Sequence, residues 1–398
     1  MIPAIRQLYN SSFTQNKYES LVSWIEEQYP ATLDFRIAET PLFISKQFTT
    51  EMTETCQYIL STIQETSFTA LTEKAIPDQC RIEGPEEKPL VMAFDFGICK
   101  NESGKLIPQL IEMQGFPSLF AYQLLLDNAF RKHTSIPQGF SAFLSNWTEA
   151  EYKDYFKNIV LGAHKPEEVI LLELFPENQK TKIDFAVTTT LTGIKAVCLT
   201  KLIRKNKELF YEHEGKLLPI KRIYNRLIFD ELQQQSPAIQ ESLLKIKGEI
   251  EVEWCIHPHW YYRISKYLLP FLHHPKIPKT YFLNEIIQLP SDLENYVLKP
   301  LFSFAGQGVL LDVTKVQLEK IKDPENWILQ HKVNYANCIN TPDGFAKAEI
   351  RLFYWWIPGQ SNPIPVNNLG RISKGEMIGT RYNMDKTWVG STCCYFEQ

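Results

Sequence analysis

The sequence predicts a mixed α/β fold of several packed subdomains, on three observations. The chain has 398 residues, above the roughly 250–300 at which a single hydrophobic core stops growing. Its apolar pattern starts with a helical period and changes to a strand period near residue 90. A strand, a helix and a strand then follow one another between 168 and 200, the order of a small parallel α/β unit.

Taken in order, residues 1–90 read as helical. "YESLVSWIEEQYP" carries apolar residues at 21, 22, 25 and 29, and "TEMTETCQYILSTIQET" carries them at 52, 56, 59, 60 and 63. "LVMAFDFGIC" and "KLIPQLIEMQGF" are apolar runs joined by the turn-forming "KNESG", so a β-hairpin is expected. Helical patterns continue to about residue 160. The strand "EEVILLELF", a helix over "KTKIDFAVTTTLTG" and the strand "IKAVCLT" come next. "LFYEHEGKLLPIKRIYNRLIFDEL" reads as a hairpin-like segment and a strand running into a helix. A proline-rich connection, "LLPFLHHPKIPKTYFL", leads to a strand-rich end: "NWILQHKV", "AEIRLFYWWI", "IPVNNLGRI" and "EMIGTRYNM". The aromatic run 353–356 alternates as a packed strand would.

Composition excludes several function classes. Apolar residues are 44% and aromatics 13%, and the formal net charge is -4. Nothing there asks for nucleic acid or an acidic membrane surface as partner. The eight cysteines form no C-x-x-C pair, which is neither a disulfide framework nor a zinc pattern and suits a reducing cytoplasm. The start "MIPAIRQLYN" lacks a signal-peptide pattern, and no apolar run approaches the roughly 18 residues of a membrane helix. A cytoplasmic protein is expected, and the sequon at 146–148 carries no meaning there.

Three groups of residues carry chemistry. In the first hairpin, a turn centred on Glu102 and Ser103 sets Asp95 opposite Leu110 and puts Glu112 and Gln114 on its face of the sheet. Two carboxylates and an amide oxygen make a hard-cation site of the kind magnesium shares with phosphates; a solvated polar face has the same spelling. In "YVLKPLFSFAGQGVLLDV", Lys299 leaves an apolar strand just before Gly306, Gln307 and Gly308, and a second strand follows. Glycines let backbone amides approach a phosphate, though the lysine precedes them and this is not a Walker A loop. Gln330 and Lys332 end the strand "NWILQHKV", where a backbone could meet an adenine edge. Arg351, two residues after Glu349, joins Arg371 and Arg381 as cations able to clamp phosphate or carboxylate oxygens; surface ion pairs are the plainer reading of each. His257, His259, His273 and His274 are read as structural or solvent-facing, and Arg226, beside Asn225, as reaching the site or making a structural ion pair.

In this order the motifs resemble the ATP-grasp superfamily of ATP-dependent ligases. The acidic hairpin that usually ends the fold stands near the front here, as "AFDFGICKNESGKLIPQLIEMQGFPS". That order resembles the circularly permuted members, including the glutathionylspermidine synthetase group, to which "EMQGFPSL" and "EGKLLPIKRIYNRLIFDEL" are also similar. The resemblance covers about residues 91–398. After the helical region read over 1–90, it implies the metal hairpin and helices over 91–150, a preceding α/β domain over 151–260, and the lysine and glycine-loop part with the C-terminal strands over 261–398. It further implies ATP and magnesium as cofactors, with Lys299 and Lys266 on the nucleotide and Gly306 and Gly308 over its triphosphate. Asp95, Glu112 and Gln114 would hold magnesium, and Arg351 would stand at an acyl phosphate. Carboxylate and amine substrates, or a peptide, are the implied partners. Residues 1–90 would shape an acceptor pocket or a homodimer contact. Gln114 replaces the usual asparagine, and Ala93 replaces an arginine of the glutathionylspermidine group. A phosphotransferase and a nucleotide-binding protein without catalysis are the alternatives.

Overall fold

The computed structural model describes residues 2–303, 306–379 and 382–398. Helices α1 (Pro3–Ser12), α2 (Gln15–Gln28) and α3 (Lys46–Ile63) open the chain. The Thr14 hydroxyl caps α2 by accepting from Lys17 N, and the Ser45 hydroxyl caps α3 by accepting from Phe48 N. Helix α3 buries Phe48, Met52, Cys56, Ile59, Leu60 and Ile63, one face at helical spacing. Strand β1 (Leu42–Ile44), just before α3, pairs in parallel with the last strand, Cys394–Glu397, so the two ends of the chain are sewn together. Among the described residues no helix is long and apolar enough to cross a membrane.

The expected hairpin is β2 (Val91–Lys100) and β3 (Leu106–Gln114), but its register differs from the expectation. Leu110 faces Phe96, and Asp95 faces Glu112 directly. The connecting loop ends with Lys100 opposite Leu106, which moves the register by one residue, and a bulge after Asp95 moves it by another. Asn101 Oδ1 closes the loop by accepting from Lys105 N, with Gly104 at φ +78°.

Helices α4 (Phe120–His133) and α5 (Glu149–Leu161) lead to the parallel unit, and α5 begins with a capping box between Thr148 and Glu151. The unit is β4 (Val169–Glu173), α6 (Lys182–Thr192), β5 (Lys195–Cys198), β6 (Arg222–Asn225) and β7 (Glu253–Trp254). All four strands are parallel in the order β7-β6-β4-β5. The chain goes from β4 to one side and later returns on the other, which leaves a switch-point crevice at the carboxyl ends of β4 and β6. A small antiparallel sheet over 203–220 supplies the hairpin-like segment.

Strands β8 (Thr280–Phe282), β9 (Tyr296–Pro300) and β10 (Trp327–His331) form an antiparallel sheet with β10 central. The second strand expected after the glycines is reduced to one bridge, Leu298 with Leu310. Strands β11 (Gly344–Trp355) and β12 (Ile364–Ser373) complete the largest sheet, in which β12-β11-β2-β3 run side by side. The front hairpin thus pairs with a strand from the far end of the chain. Both faces of β11 are covered: Phe353 packs on Phe120 and Trp355 on Tyr152, each at 4.5 Å between centroids, while Tyr354 meets Phe94 at 5.2 Å. Of the strand expected over "EMIGTRYNM", the described residues 376–379 and 382–384 form no strand. Asn383 takes the place of a neighbouring strand: its Oδ1 accepts from Lys374 N and Gly375 N, and its Nδ2 donates to Gly379 O. Arg381 lies outside the described residues.

Candidate functional site

A cavity of about 1170 Å³ opens where the large sheet, the β8–β10 sheet and the α/β unit meet. Lys266, Lys299, Gly306, Gln307, Gln330 and Lys332 line one part of it, and Glu112, Gln114, Glu349, Arg351 and Arg371 another. The candidates scattered through the sequence therefore converge. Among the described candidates two do not line the cavity: Asp95, which is fully buried, and Gly308, which is exposed.

Sheet register explains the charged cluster. Arg351 on β11 stands between Leu369 and Asp95, and Asp95 stands between Arg351 and Glu112. Two residues along, Glu349 stands between Arg371 and Gly97. Arg351 grips Asp95 side-on, Nε to Oδ1 and Nη2 to Oδ2, both at 2.6 Å. Arg371 Nη2 bridges Asp95 Oδ2 at 2.7 Å and Glu349 Oε2 at 2.8 Å. Tyr335 donates its hydroxyl to Glu349. A Cβ on Gly97 would stand 2.8 Å from the Tyr335 ring, so the glycine inside β2 makes room for that ring. Burial pushes the Asp95 carboxyl upward, but the Arg351 and Arg371 charges outweigh it and hold the carboxyl below its ordinary value. Burial and the nearby Asp95 charge win at Glu349, whose carboxyl is raised despite Arg371.

Lys299 Nζ donates to Gln330 Oε1 at 2.6 Å and to Ile111 O at 3.4 Å, the latter carbonyl belonging to the bulge in β3. Burial lowers the Lys299 ammonium to about 8; Glu112 opposes this and Lys266 adds to it. Lys266 is also lowered by burial, with Glu112 opposing, and its Nζ donates to Ser303 O at 3.4 Å. The adenine-edge expectation at Gln330 and Lys332 needs correction. Gln330 is bonded within the sheet, while His331 N and Lys332 N already donate to Lys279 O and Asn295 O. Val333 and Asn334, which follow, also line the cavity. Lys332 Nζ lies 3.7 Å from Asp312. Gly306 (φ +73°) and Gly308 (φ +75°) both occupy left-handed backbone, and a Cβ on them would stand 3.2 Å from Met377 Cε and 3.1 Å from Pro300 Cγ. The glycine turn therefore meets the loop that Asn383 organises.

The opposite end of the cavity reaches the switch-point crevice. Arg226 follows β6 directly; it is only 7% exposed yet lines the cavity. Its Nη1 donates to Pro117 O at 2.9 Å, its guanidinium lies 4.7 Å from the Phe116 ring centroid, and its Nε has no hydrogen-bond partner. Lys180 and Thr181, at the amino end of α6, line the same end. The neighbouring helix α4 is already satisfied, because Asp184 accepts from Leu119 N, Ala121 N and Tyr122 N. Asn225 turns inward instead, its Oδ1 accepting from Leu227 N.

Sequence reading missed Tyr335, Lys180 and the pairing role of Glu349. Gly97, a glycine inside an apolar strand, was the available signal for a close approach. The histidines behave as structural. Ligand atoms of Glu86, His257 and His259 lie within 4.8 Å of one another, but His259 Nε2 accepts from Ile82 N while Nδ1 faces Glu86 at 2.6 Å. With Nε2 occupied as acceptor, the neutral ring keeps its proton on Nδ1. Arg263 takes both oxygens of Glu86.

The residues fit magnesium only in part. Asp95 is fully buried, bears three guanidinium hydrogen bonds and does not line the cavity. Both Glu349 oxygens are engaged, by Tyr335 and Arg371. Glu112, with its side chain 29% exposed, presents a carboxylate to the cavity, and Gln114 Nε2 holds its Oε1 at 3.0 Å.

By sequence, the chain matches no protein-family model and no curated protein. Among solved structures it is similar to a glutathione synthetase-like effector from Globodera pallida in its apo form. The TM-score is 0.57 at 10% identity, over 96% of this chain and 97% of that one. At that identity the likeness concerns the fold, which is mixed α/β and ATP-grasp-like.

Proposed function

We propose that the protein is an ATP-dependent ligase, forming an amide or thioester through an acyl phosphate and releasing ADP. One observation carries the reading: a single cavity gathers the buried Lys266 and the half-buried Lys299, a left-handed glycine turn, the half-buried Glu112 carboxylate and two guanidinium groups within an ATP-grasp-like fold. The front hairpin and the far strands share that cavity wall, which supports a circularly permuted order.

On this reading Lys299 and Lys266 hold the nucleotide phosphates, and the Gly306 turn closes over them. Bound magnesium would lie on Glu112 and neutralise phosphate charge. Arg351 and Arg371 face the transferred phosphoryl group, where positioning and charge matter more than a nucleophilic side chain. A substrate carboxylate oxygen bonds to the γ-phosphorus as the bond to ADP breaks. The amine or thiol then attacks the acyl carbon, phosphate leaves, and the attacking group gives its proton to solvent. Arg226 and Lys180 make the far end of the cavity suited to an anionic portion of the substrate.

ADP release tests the reading, measured with pooled carboxylates, pooled amines and thiols, and both together. A ligase needs both pools, whereas a phosphotransferase needs one acceptor. The engagement of Asp95 favours one rival, a protein that binds ATP without turnover; it would release no ADP under any combination.

A further inference from the structure

We propose that Asp95 is a positioning residue for a two-arginine anion clamp rather than a cation ligand, leaving Glu112 as the carboxylate that meets a divalent ion. The inference rests on the ATP-binding reading above and says how that site is held. The observations are geometric. Asp95 is 0% exposed, and its cross-strand neighbours are Arg351 on one side and Glu112 on the other. Side-on pairing fixes the plane of the Arg351 guanidinium. Arg371 is held from two directions, by Asp95 and by a Glu349 that Tyr335 in turn holds.

A guanidinium has five N–H donors, and these contacts use only some of them. Both arginines line the cavity, and the Arg371 side chain is 31% exposed, its unpartnered Nε being the part closed off from solvent. The remaining donors are available to an anion there. A divalent ion on Asp95 would have to displace these hydrogen bonds and sit between two fixed positive charges, where the interior offers little screening. Glu112 is different: its side chain is 29% exposed, Arg351 Nη2 is 4.0 Å away, and besides Asp95 its hydrogen-bond partner is the neutral Gln114.

The test titrates ATP, with excess EDTA and with excess magnesium, into wild type, Asp95→Asn, Glu112→Gln and Tyr335→Phe. Loosening the clamp should weaken metal-free ATP binding about tenfold or more in Asp95→Asn, since hydrogen bonds to charged groups are at stake. The affinity gain from magnesium should stay within about twofold of wild type in that variant and collapse in Glu112→Gln. Tyr335→Phe frees Glu349 without touching Asp95 and should weaken metal-free binding with the magnesium gain intact; if Asp95→Asn does not fold, Glu112→Gln decides the matter, since a magnesium gain kept there overturns the assignment. A magnesium gain lost in Asp95→Asn and kept in Glu112→Gln overturns the assignment. If wild type binds no ATP, the ligase reading falls, and manganese titrated into the proteins decides Asp95 separately. Binding no weaker in Asp95→Asn than in wild type then supports the positioning role, and weaker binding overturns it.

Discussion

Arg351→Met puts the buried charge cluster under the severest strain. The substitution removes both 2.6 Å hydrogen bonds from a fully buried Asp95 and leaves Arg371 as its one guanidinium partner. Breaking a buried pair by deleting one partner costs about 3–5 kcal/mol, because the other charge stays desolvated. The pH dependence follows from the direction of the Asp95 shift. In the wild type its folded value is depressed, so its contribution is present above the unfolded value of about 3.9 and is lost as pH falls through the folded value. In the variant, burial is opposed by one guanidinium instead of two, and the folded value is expected to rise above the unfolded one. The variant then loses stability as pH rises through that value. The gap between the proteins should be about 3 kcal/mol or more at pH 7 and narrow towards pH 4. Urea unfolding followed by intrinsic fluorescence measures it, and Asp95→Leu added to Arg351→Met should recover more than half. A gap below about 1 kcal/mol at pH 7, the size of an exposed pair, or one that does not change with pH, refutes the reasoning.

Other consequences can be checked separately. Because burial lowers Lys299 to about 8, ATP affinity should fall about tenfold between pH 8 and 9.5 as the ammonium is lost, read by calorimetry; a flat profile contradicts its role. The sign for folding is opposite, since a lysine lowered on folding makes its contribution to stability rise with pH between about 8 and the ordinary value near 10.4. Gly306→Val places a side chain on left-handed backbone beside Met377, at a strain of roughly 1–2 kcal/mol. Turnover should drop about tenfold or more with melting changed by only a few degrees, and unchanged turnover would remove the loop from the mechanism. Arg226→Met should raise the KM of the anionic substrate about tenfold or more and leave ATP affinity alone; a loss of ATP affinity instead would place Arg226 at the nucleotide.

What the sequence disclosed was what local chemistry determines. Lys299 on its strand, the glycines after it and the hairpin around "KNESG" follow from period-two alternation and turn residues. The register of that hairpin was not legible, because it depends on a bulge at Ile111 that no residue type announces. The strand expected over "EMIGTRYNM" was misread where Asn383 bonds the backbone of Lys374, Gly375 and Gly379 in place of a neighbouring strand. Asp95 was recognised as chemistry-bearing but given the wrong neighbours. Its arginines lie 256 and 276 positions further along the chain, a distance that only the folded sheet removes. Arg226 could be singled out beside Asn225, yet only the order of the parallel strands shows which of the two faces the cavity.

The most direct test of the central claim is thermal unfolding with magnesium and ATP, set against magnesium with GTP and magnesium alone. A ligand that binds only the folded state, at 100 times its dissociation constant, adds about 2.7 kcal/mol. The account predicts an upward shift specific to ATP that Lys299→Ala abolishes while keeping its own fold. An unshifted transition at millimolar ATP, or a shift that survives Lys299→Ala undiminished, would contradict it.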